Sequence, residues 1–439
     1  MNPLVKRIVK NTGALLVARG IDILASVIMV GAISRYLGVE AFGEFGFVLS
    51  LVTFVVAFTY LGIERILIRN VARDESEAQK NFSTALTARW ILSIIVIGII
   101  FLLVLTLDLP RESKVAILIT AISQLAFSSA SLYAAVFKAY ERMEYETVLT
   151  LGSQIIALGL VLWAIAMDLG FLAIFMAIGI SNVGRLFASV LIVHIKFLKT
   201  SFSLDPKMTW EFLKDSIVLG ANFLVVQALV RVDVLLLRAL ESPEEVSLYF
   251  APHTLLVRIQ VLPMALTTAL LPFFSRMARK EADADAFAFG FRRAYQVLLA
   301  CGGLLMIGCM LFASQVMTVI FGAEYAAATT PFQILLPSMV FIFLHPLLTF
   351  IVLTKDKHLL LIPASAAALM VNITLSFFLI PVYGAAGASL ASTLGYTVLF
   401  GMALYFVNTR LIPISFSDTI IKPMGALAFV TLAVYFFTR

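Results

Sequence analysis

An all-α polytopic membrane protein is the fold class this sequence predicts, and three observations predict it. Of the 439 residues, 61% are hydrophobic and 13% charged, with a mean hydropathy of +1.02, far outside the range of a soluble domain. Apolar runs long enough to cross a bilayer, which takes ~20 residues, recur thirteen times between residues 10 and 437 with little sequence between them. These runs are continuous rather than alternating, so helices, which satisfy their own backbone in lipid, are favoured over a β-barrel.

The first span, 10–35, follows Lys6, Arg7 and Lys10. Arg19 and Asp22 interrupt its apolar run and no small-residue cleavage site follows, so it is expected to persist as a helix. Gly38 and Gly43 permit a tight turn into the second span, 42–68, which ends at Glu64 and Arg65. Spans 82–107, 114–138, 147–167 and 171–195 complete a first set of six, the last opening after Gly170 and carrying Arg185. Residues 197–212, with Pro206, read as a linker. The seventh span, 213–238, carries Arg231 and Asp233, and the eighth, 246–272, carries Arg258 and Pro263. Cys301 and Cys309 lie two turns apart on the ninth, 291–313, where they cannot pair with each other and are expected to pack. Pro337 in the tenth span, 327–353, and Pro363 in the eleventh, 358–380, are expected to kink their helices, as is Pro263. Pro381 stops a helix ahead of Gly384, and Gly387, Ala391 and Gly395 then form a small-residue stripe on the twelfth, 385–407. A thirteenth, 419–437, either spans or lies in the interface.

Basic residues orient the chain, because cytoplasmic connections retain Lys and Arg. With the N-terminus inside, 22 of the 32 fall at inner ends, 5 at outer ends, and the rest within spans. The net charge of +6 therefore reflects topology and anionic lipid headgroups, and no nucleic-acid partner is implied.

Absences narrow the function. There is no glycine-rich loop followed by Lys and Ser or Thr, hence no ATP site to drive transport. The longest polar connections, 196–212 and 273–290, are too short for a catalytic domain, and no nucleophile, base and oxyanion set is visible. No catalytic residue, metal site or cofactor is expected. A transporter, which needs only a cavity and two access states, fits better than an enzyme.

The halves repeat. Lys10-Asn11-Thr12 matches Lys214-Asp215-Ser216, Val71 through Glu75 matches Met277 through Glu281, and Gly170 through Ala173 matches Gly384 through Gly387, all at nearly one offset. Six spans per repeat is even, so both halves enter from one side, and sites in such parallel repeats lie between the halves. The expected domains are a six-helix lobe at 1–196, the linker at 197–212, a second six-helix lobe at 213–408, and a loop with the extra helix at 409–439.

Three motifs carry a family resemblance. Arg35 through Gly43, Phe321-Gly322-Ala323-Glu324-Tyr325, and Ile380 through Ala388 resemble the polysaccharide-flippase branch of the multidrug/oligosaccharidyl-lipid/polysaccharide exporter superfamily. The resemblance covers essentially the whole chain. It implies two six-helix lobes about a central cavity and alternating access. The implied cargo is undecaprenyl-diphosphate-linked oligosaccharide, moved from cytoplasmic to periplasmic leaflet of a bacterial inner membrane for O-antigen or capsule assembly. Proton or sodium coupling and a polysaccharide polymerase partner come with it. The rivals are a cation-coupled multidrug antiporter and a lipid II flippase.

An ionisable group at mid-bilayer costs at least ~2.5 kcal/mol on insertion scales, so each is a functional candidate. Four are positive, Arg19, Arg185, Arg231 and Arg258, and two negative, Asp22 and Asp233. Asn11, Arg19, Asp22 and Ser26 share one helical face, as do Asn182, Arg185 and Ser189. Arg231 and Asp233 point to opposite sides of one helix, so one of them is expected to pack against a neighbour and Arg231 to face the cavity. With the implied cargo, the four arginines are candidate diphosphate ligands, since guanidinium forks suit phosphate oxygens. Asp22, Asp233 and His345 are candidate proton or ion sites. Glu64 and Arg65 form either a gate or an interfacial anchor. The bland alternative is that the charges are inter-helix bridges, with Arg19 and Asp22 satisfying each other.

Overall fold

The computed structural model describes residues 3–203, 205–264, 267, 284–354, 357–411 and 425. Twelve α-helices stand among them: α1 (Pro3–Val56), α2 (Ile63–Arg73), α3 (Ala78–Thr106), α4 (Arg111–Ala139), α5 (Met143–Ala166), α6 (Phe171–Lys196), α7 (Pro206–Leu240), α8 (Pro243–Ile259), α9 (Ala284–Leu311), α10 (Ala313–Phe321), α11 (Thr329–Thr354) and α12 (Leu361–Arg410). Short 3₁₀ turns join some of them, and no strand occurs among the described residues. Eight helical stretches there are long and apolar enough to cross a membrane. The protein is thus an all-α, multi-pass membrane protein.

Two expected inter-span loops are single residues. α1 has 54 residues and α12 has 50, each about twice the length a bilayer needs. Each is broken once, at Gly38 (φ 74°) and Gly384 (φ 53°), in conformations that favour glycine. Gly43, expected to share the first turn, is helical and buried, so Gly38 alone makes it. The second expected span also ends early. α1 stops at Val56, a 3₁₀ turn covers Ala57–Thr59, and the chain restarts as α2 at Ile63.

Leu24–Arg231 forms one compact unit, and Met1–Ile23 with Val232–Arg439 forms another. The expected linker is non-helical only before Pro206. Asp205 Oδ1 accepts the N–H groups of Lys207 and Met208 at 3.0 and 3.1 Å, an N-cap just ahead of a proline at the first helical position. The segment before it is strapped along α3. Gln79 bonds both Lys199 N and Lys199 O (2.9 and 2.7 Å), Ser83 meets Ser201 at 2.8 Å, and Thr87 Oγ1 accepts Ser203 N–H at 2.9 Å.

In the Leu24–Arg231 unit α2, α3 and α4 meet over Ile63, Ile66, Leu67, Phe82, Leu86, Leu132 and Phe137, all at most 1% exposed. The opposite face of α3 presents Ile94, Ile95, Phe101, Leu102 and Leu105 outward, as lipid contact requires. Helices in lipid gain no hydrophobic drive from meeting, so close packing and interhelical polar bonds hold them. α4 accordingly buries Ala116, Ser123, Ala126, Ser128 and Ala130. In the other unit the stripe Gly387, Ala391 and Gly395 is buried. A Cβ at Gly387 would lie 2.3 Å from the Leu379 carbonyl oxygen, so the two halves of α12 pack there backbone on backbone.

Several expectations need correction. Residues 284–290 of the expected 273–290 connection are helical, since α9 covers Ala284–Leu311, and 273–283 lie outside the described residues. The ninth span ends at Leu311, and the separate α10 follows. Pro337 and Pro346 lie inside α11, but Pro363 falls in the first turn of α12, where its missing N–H breaks no helix bond. Cys301 is exposed rather than packed, while Cys309 is partly buried. The thirteenth expected span lies outside the described residues, apart from Gly425.

Candidate functional site

Each unit contains a buried polar cluster. In the Leu24–Arg231 unit the centre is Arg89 on α3, whose side chain is fully buried. One guanidinium nitrogen donates to Ser128 O at 2.9 Å and Ser128 Oγ at 2.5 Å, and the other to Glu64 Oε1 at 3.1 Å. Ser131 Oγ donates to the same Glu64 oxygen at 2.5 Å, and Thr59 meets Ser128 at 2.6 Å. The Tyr60 ring lies 5.0 Å beneath the Arg89 guanidinium and within electrostatic reach of Glu64 and Arg185. The break after Val56 is what brings Thr59, Tyr60 and Glu64 to this point. On α7, Gly220 permits close approach to that break, since a Cβ there would fall 2.3 Å from the Leu61 carbonyl carbon.

The cluster of the Met1–Ile23 and Val232–Arg439 unit surrounds Asp233 on α7, which is 0% exposed. Its Oδ2 accepts from Tyr249 OH at 2.8 Å, Ser392 Oγ at 2.7 Å and Asn372 Nδ2 at 3.3 Å, and its Oδ1 from Ser376 Oγ at 2.9 Å. Asn372 and Ser376 come from the first half of α12 and Ser392 from the second, so one carboxylate ties both halves to α7 and α8. The His253 ring stacks on Tyr249 at 5.1 Å. Asp233 makes no ion pair among the described residues. All four donors are neutral, and hydroxyls rotate freely between donating and accepting. An ionised Asp233 therefore has no counter-charge within its own hydrogen-bond shell. No group of three His, Cys, Asp or Glu among the described residues could hold a metal ion.

The remaining predicted residues are placed as follows. The side chain of Arg19 lies outside the described residues. Asp22, half-buried on α1, is within electrostatic reach of Arg258 on α8. Arg185 is buried on α6, its guanidinium 4.8 Å over the Phe127 ring. Its neighbour Asn182 donates to Ser123 at 2.9 Å, so the Asn182, Arg185 and Ser189 face turns toward α4. Arg231 is half-buried on α7. His345 Nε2 pairs with Thr349 Oγ1 at 3.1 Å. Glu64 turns in to Arg89, while Arg65 is exposed.

Sequence reasoning missed Arg89, Tyr249, Asn372, Ser376 and Ser392. A signal existed for some of them. Ser365, Asn372 and Ser376 recur at helical spacing within an apolar run, and all three are buried.

Comparison with known proteins agrees with this architecture. A family profile described as "Polysaccharide biosynthesis protein" matches residues 8–278. No curated protein matches the chain. Among solved structures, the chain is similar to lipid II flippase MurJ in an inward closed conformation, at 14% identity and TM-score 0.69, over 96% of this chain and 97% of that one. It is also similar to an inward-facing multidrug resistance MATE family transporter of the MOP superfamily, at 12% identity and TM-score 0.72, over 93% and 96%. A third likeness is to a MOP superfamily transporter from Pyrococcus furiosus, at 14% identity and TM-score 0.66, over 92% and 96%. At such identities the likeness establishes the fold, and the profile, matching more than half of the sequence, establishes the family: the chain belongs to the polysaccharide biosynthesis protein family.

Proposed function

We propose that the protein is a flippase carrying polyprenyl-diphosphate-linked oligosaccharide from the cytoplasmic to the periplasmic leaflet of a bacterial inner membrane, for O-antigen or related polysaccharide assembly. The observation that carries this reading is the excess of arginine among the mid-span charges, four against two aspartates once the Arg89–Glu64 pair is set aside. Membership of a polysaccharide biosynthesis family and a fold shared with a lipid II flippase support a lipid-linked cargo. A cationic drug would be repelled by that excess.

In this reading the lobes at 1–196 and 213–408 exchange inward and outward access, with the N-terminus cytoplasmic. Arg19, Arg185, Arg231 and Arg258 take the diphosphate. A guanidinium offers two parallel donors to phosphate oxygens, and its attraction strengthens where water is scarce. Asp233 is the coupling site, exchanging a proton or sodium ion as its four donors reorient, with Asp22 and His345 as secondary candidates. Glu64 is held by Arg89, so any gate using it opens by breaking that pair. No bond in the cargo is made or broken, so the protein is not an enzyme. Polysaccharide polymerase machinery is the partner that would receive the cargo.

The test is translocation of a fluorescent undecaprenyl-diphosphate oligosaccharide in proteoliposomes, comparing wild type with Arg19→Ala, Arg231→Ala and Arg258→Ala beside a cationic dye. Lipid movement lost in the variants, with dye ignored, supports the flippase. Dye export that depends on Asp22, without lipid movement, transfers the assignment to a multidrug antiporter. Transport confined to a peptide-bearing cargo transfers it to a lipid II flippase.

A further inference from the structure

α2 carries a row of arginines that neither cluster uses. Arg65, Arg69 and Arg73 recur every four residues and all three are exposed. The opposite face is fixed, because Ile63, Ile66, Leu67 and Val71 are at most 4% exposed in the unit's core. Four acids lie on or just after α2, Glu64, Asp74, Glu75 and Glu77, and none of them forms an ion pair with the row among the described residues. Glu64 is taken by Arg89 and Ser131, Asp74 by the N–H and hydroxyl of Ser76, and Glu77 by Lys80 at 3.6 Å. The contact of Arg69 is the neutral Asn70 Oδ1, at 3.4 Å. None of the three makes an ion pair among the described residues.

Two helices fix the depth of this row. The part of α1 beyond the Gly38 break, residues 39–56, is about 27 Å long, close to the ~30 Å of hydrocarbon it must cross. α2 follows it and so begins at the boundary. On α3 the outward apolar face runs from Trp90 to Leu105, about 23 Å, and the helix before Trp90 turns polar with Lys80 exposed. Trp90 stacks edge-on with exposed Phe202 at 6.1 Å, as aromatic side chains do at the level of lipid headgroups.

We infer that Arg65, Arg69 and Arg73 form a binding site for anionic phospholipid headgroups on the face of α2. A row of three at four-residue spacing is about 12 Å long. One diphosphate engages at most two adjacent guanidiniums, whereas such a row meets several neighbouring headgroup phosphates. This site is separate from the proposed cargo arginines and does not depend on the identity of the cargo.

The test is retention of lipid by the full-length protein. Wild type, R65A/R69A/R73A and R65K/R69K/R73K are reconstituted in equimolar phosphatidylglycerol and phosphatidylcholine and re-extracted in mild detergent, and retained lipid is measured by mass spectrometry. Wild type should keep phosphatidylglycerol in several-fold excess, falling as salt rises. The alanine variant should fall to near parity and the lysine variant should keep most of the excess. Should the alanine variant not extract as a monodisperse species, R69A alone is expected to lose part of the excess. Parity in wild type, or an excess untouched by alanine, overturns the site. In a parallel arm undecaprenyl diphosphate replaces phosphatidylglycerol at equal charge. Retention of the diphosphate well above phosphatidylglycerol, lost in the alanine variant, also overturns it and assigns the row to cargo.

Discussion

Tyr36 and Asp168, 132 residues apart, are joined by a hydrogen bond of 2.7 Å, and the same Tyr36 hydroxyl accepts the Gly170 N–H at 2.9 Å. In the second half Glu245 Oε2 accepts the Ala385 N–H at 2.6 Å. Each contact holds the first turn of the last long helix of its half, α6 in one case and the second part of α12 in the other. One turn is held by a phenol and the other by a carboxylate.

Tyr36→Phe should therefore loosen the start of α6, because it removes both the donor to Asp168 and the acceptor of the Gly170 N–H. The loss should be about 1 kcal/mol or somewhat more, read as a lower thermal midpoint in detergent. A Tyr36→Phe protein as stable as wild type would show that the two bonds do not matter to stability.

Glu64 and Arg89 should be non-additive. Removing one member of a buried pair leaves the other uncompensated and costs about 3–5 kcal/mol, whereas replacing both by apolar residues is often nearly neutral. Arg89→Met should lower the thermal midpoint strongly, and Arg89→Met with Glu64→Leu should recover much of that loss. A double variant as unstable as the sum of the singles would mean that the bonds to Ser128, not the ion pair, carry the contribution.

The sequence made the helices plain and their breaks less so. Span positions follow from hydropathy alone, and Gly38 and Gly384 mark breaks because few other residues adopt their dihedral angles. The interruption after Val56 carries no such punctuation in an apolar run, and it decides where Glu64 points. Arg89 went unrecognised because it lies near the inner end of its span, where an arginine is ordinarily interfacial; only the packed structure places its guanidinium between Ser128, Glu64 and Tyr60. For Asp233, helical periodicity separates it from Arg231, but nothing local foretells that Tyr249, Asn372, Ser376 and Ser392 converge on it from up to 159 residues away.

Glycines divide into two groups by what a methyl would meet. Gly387→Ala and Gly220→Ala would each place a Cβ 2.3 Å from backbone atoms, of Leu379 and Leu61 respectively, and backbone cannot step aside. Both should cost several times the ~1 kcal/mol that separates glycine from alanine in a helix. Gly98 and Gly159 meet nothing within 4 Å, so alanine there should be neutral or slightly stabilising. Thermal midpoints of the four single variants in one detergent decide the matter, and a Gly220→Ala protein as stable as wild type would refute the close packing of α7 on the break.

Asp233→Asn separates structure from coupling. The amide keeps the size of the carboxyl and an oxygen for Ser392 and Tyr249, but it cannot carry a charge. Its packing cost should be small beside that of Asp233→Ala, which takes the acceptor from Asn372 and Ser376 at about 1–3 kcal/mol each and leaves Tyr249 and Ser392, 3.0 Å apart, only each other. If Asp233 exchanges a proton or sodium ion during transport, Asp233→Asn should fold with a thermal midpoint near that of wild type. Its cargo movement should then lose its response to an imposed proton or sodium gradient, a fall of at least about tenfold, or ~1.4 kcal/mol in the driven step. Proteoliposomes with the gradient set across the membrane give the reading directly. A variant that still accelerates with the gradient would make Asp233 a structural tie between α7, α8 and α12, and would leave coupling to Asp22 or His345.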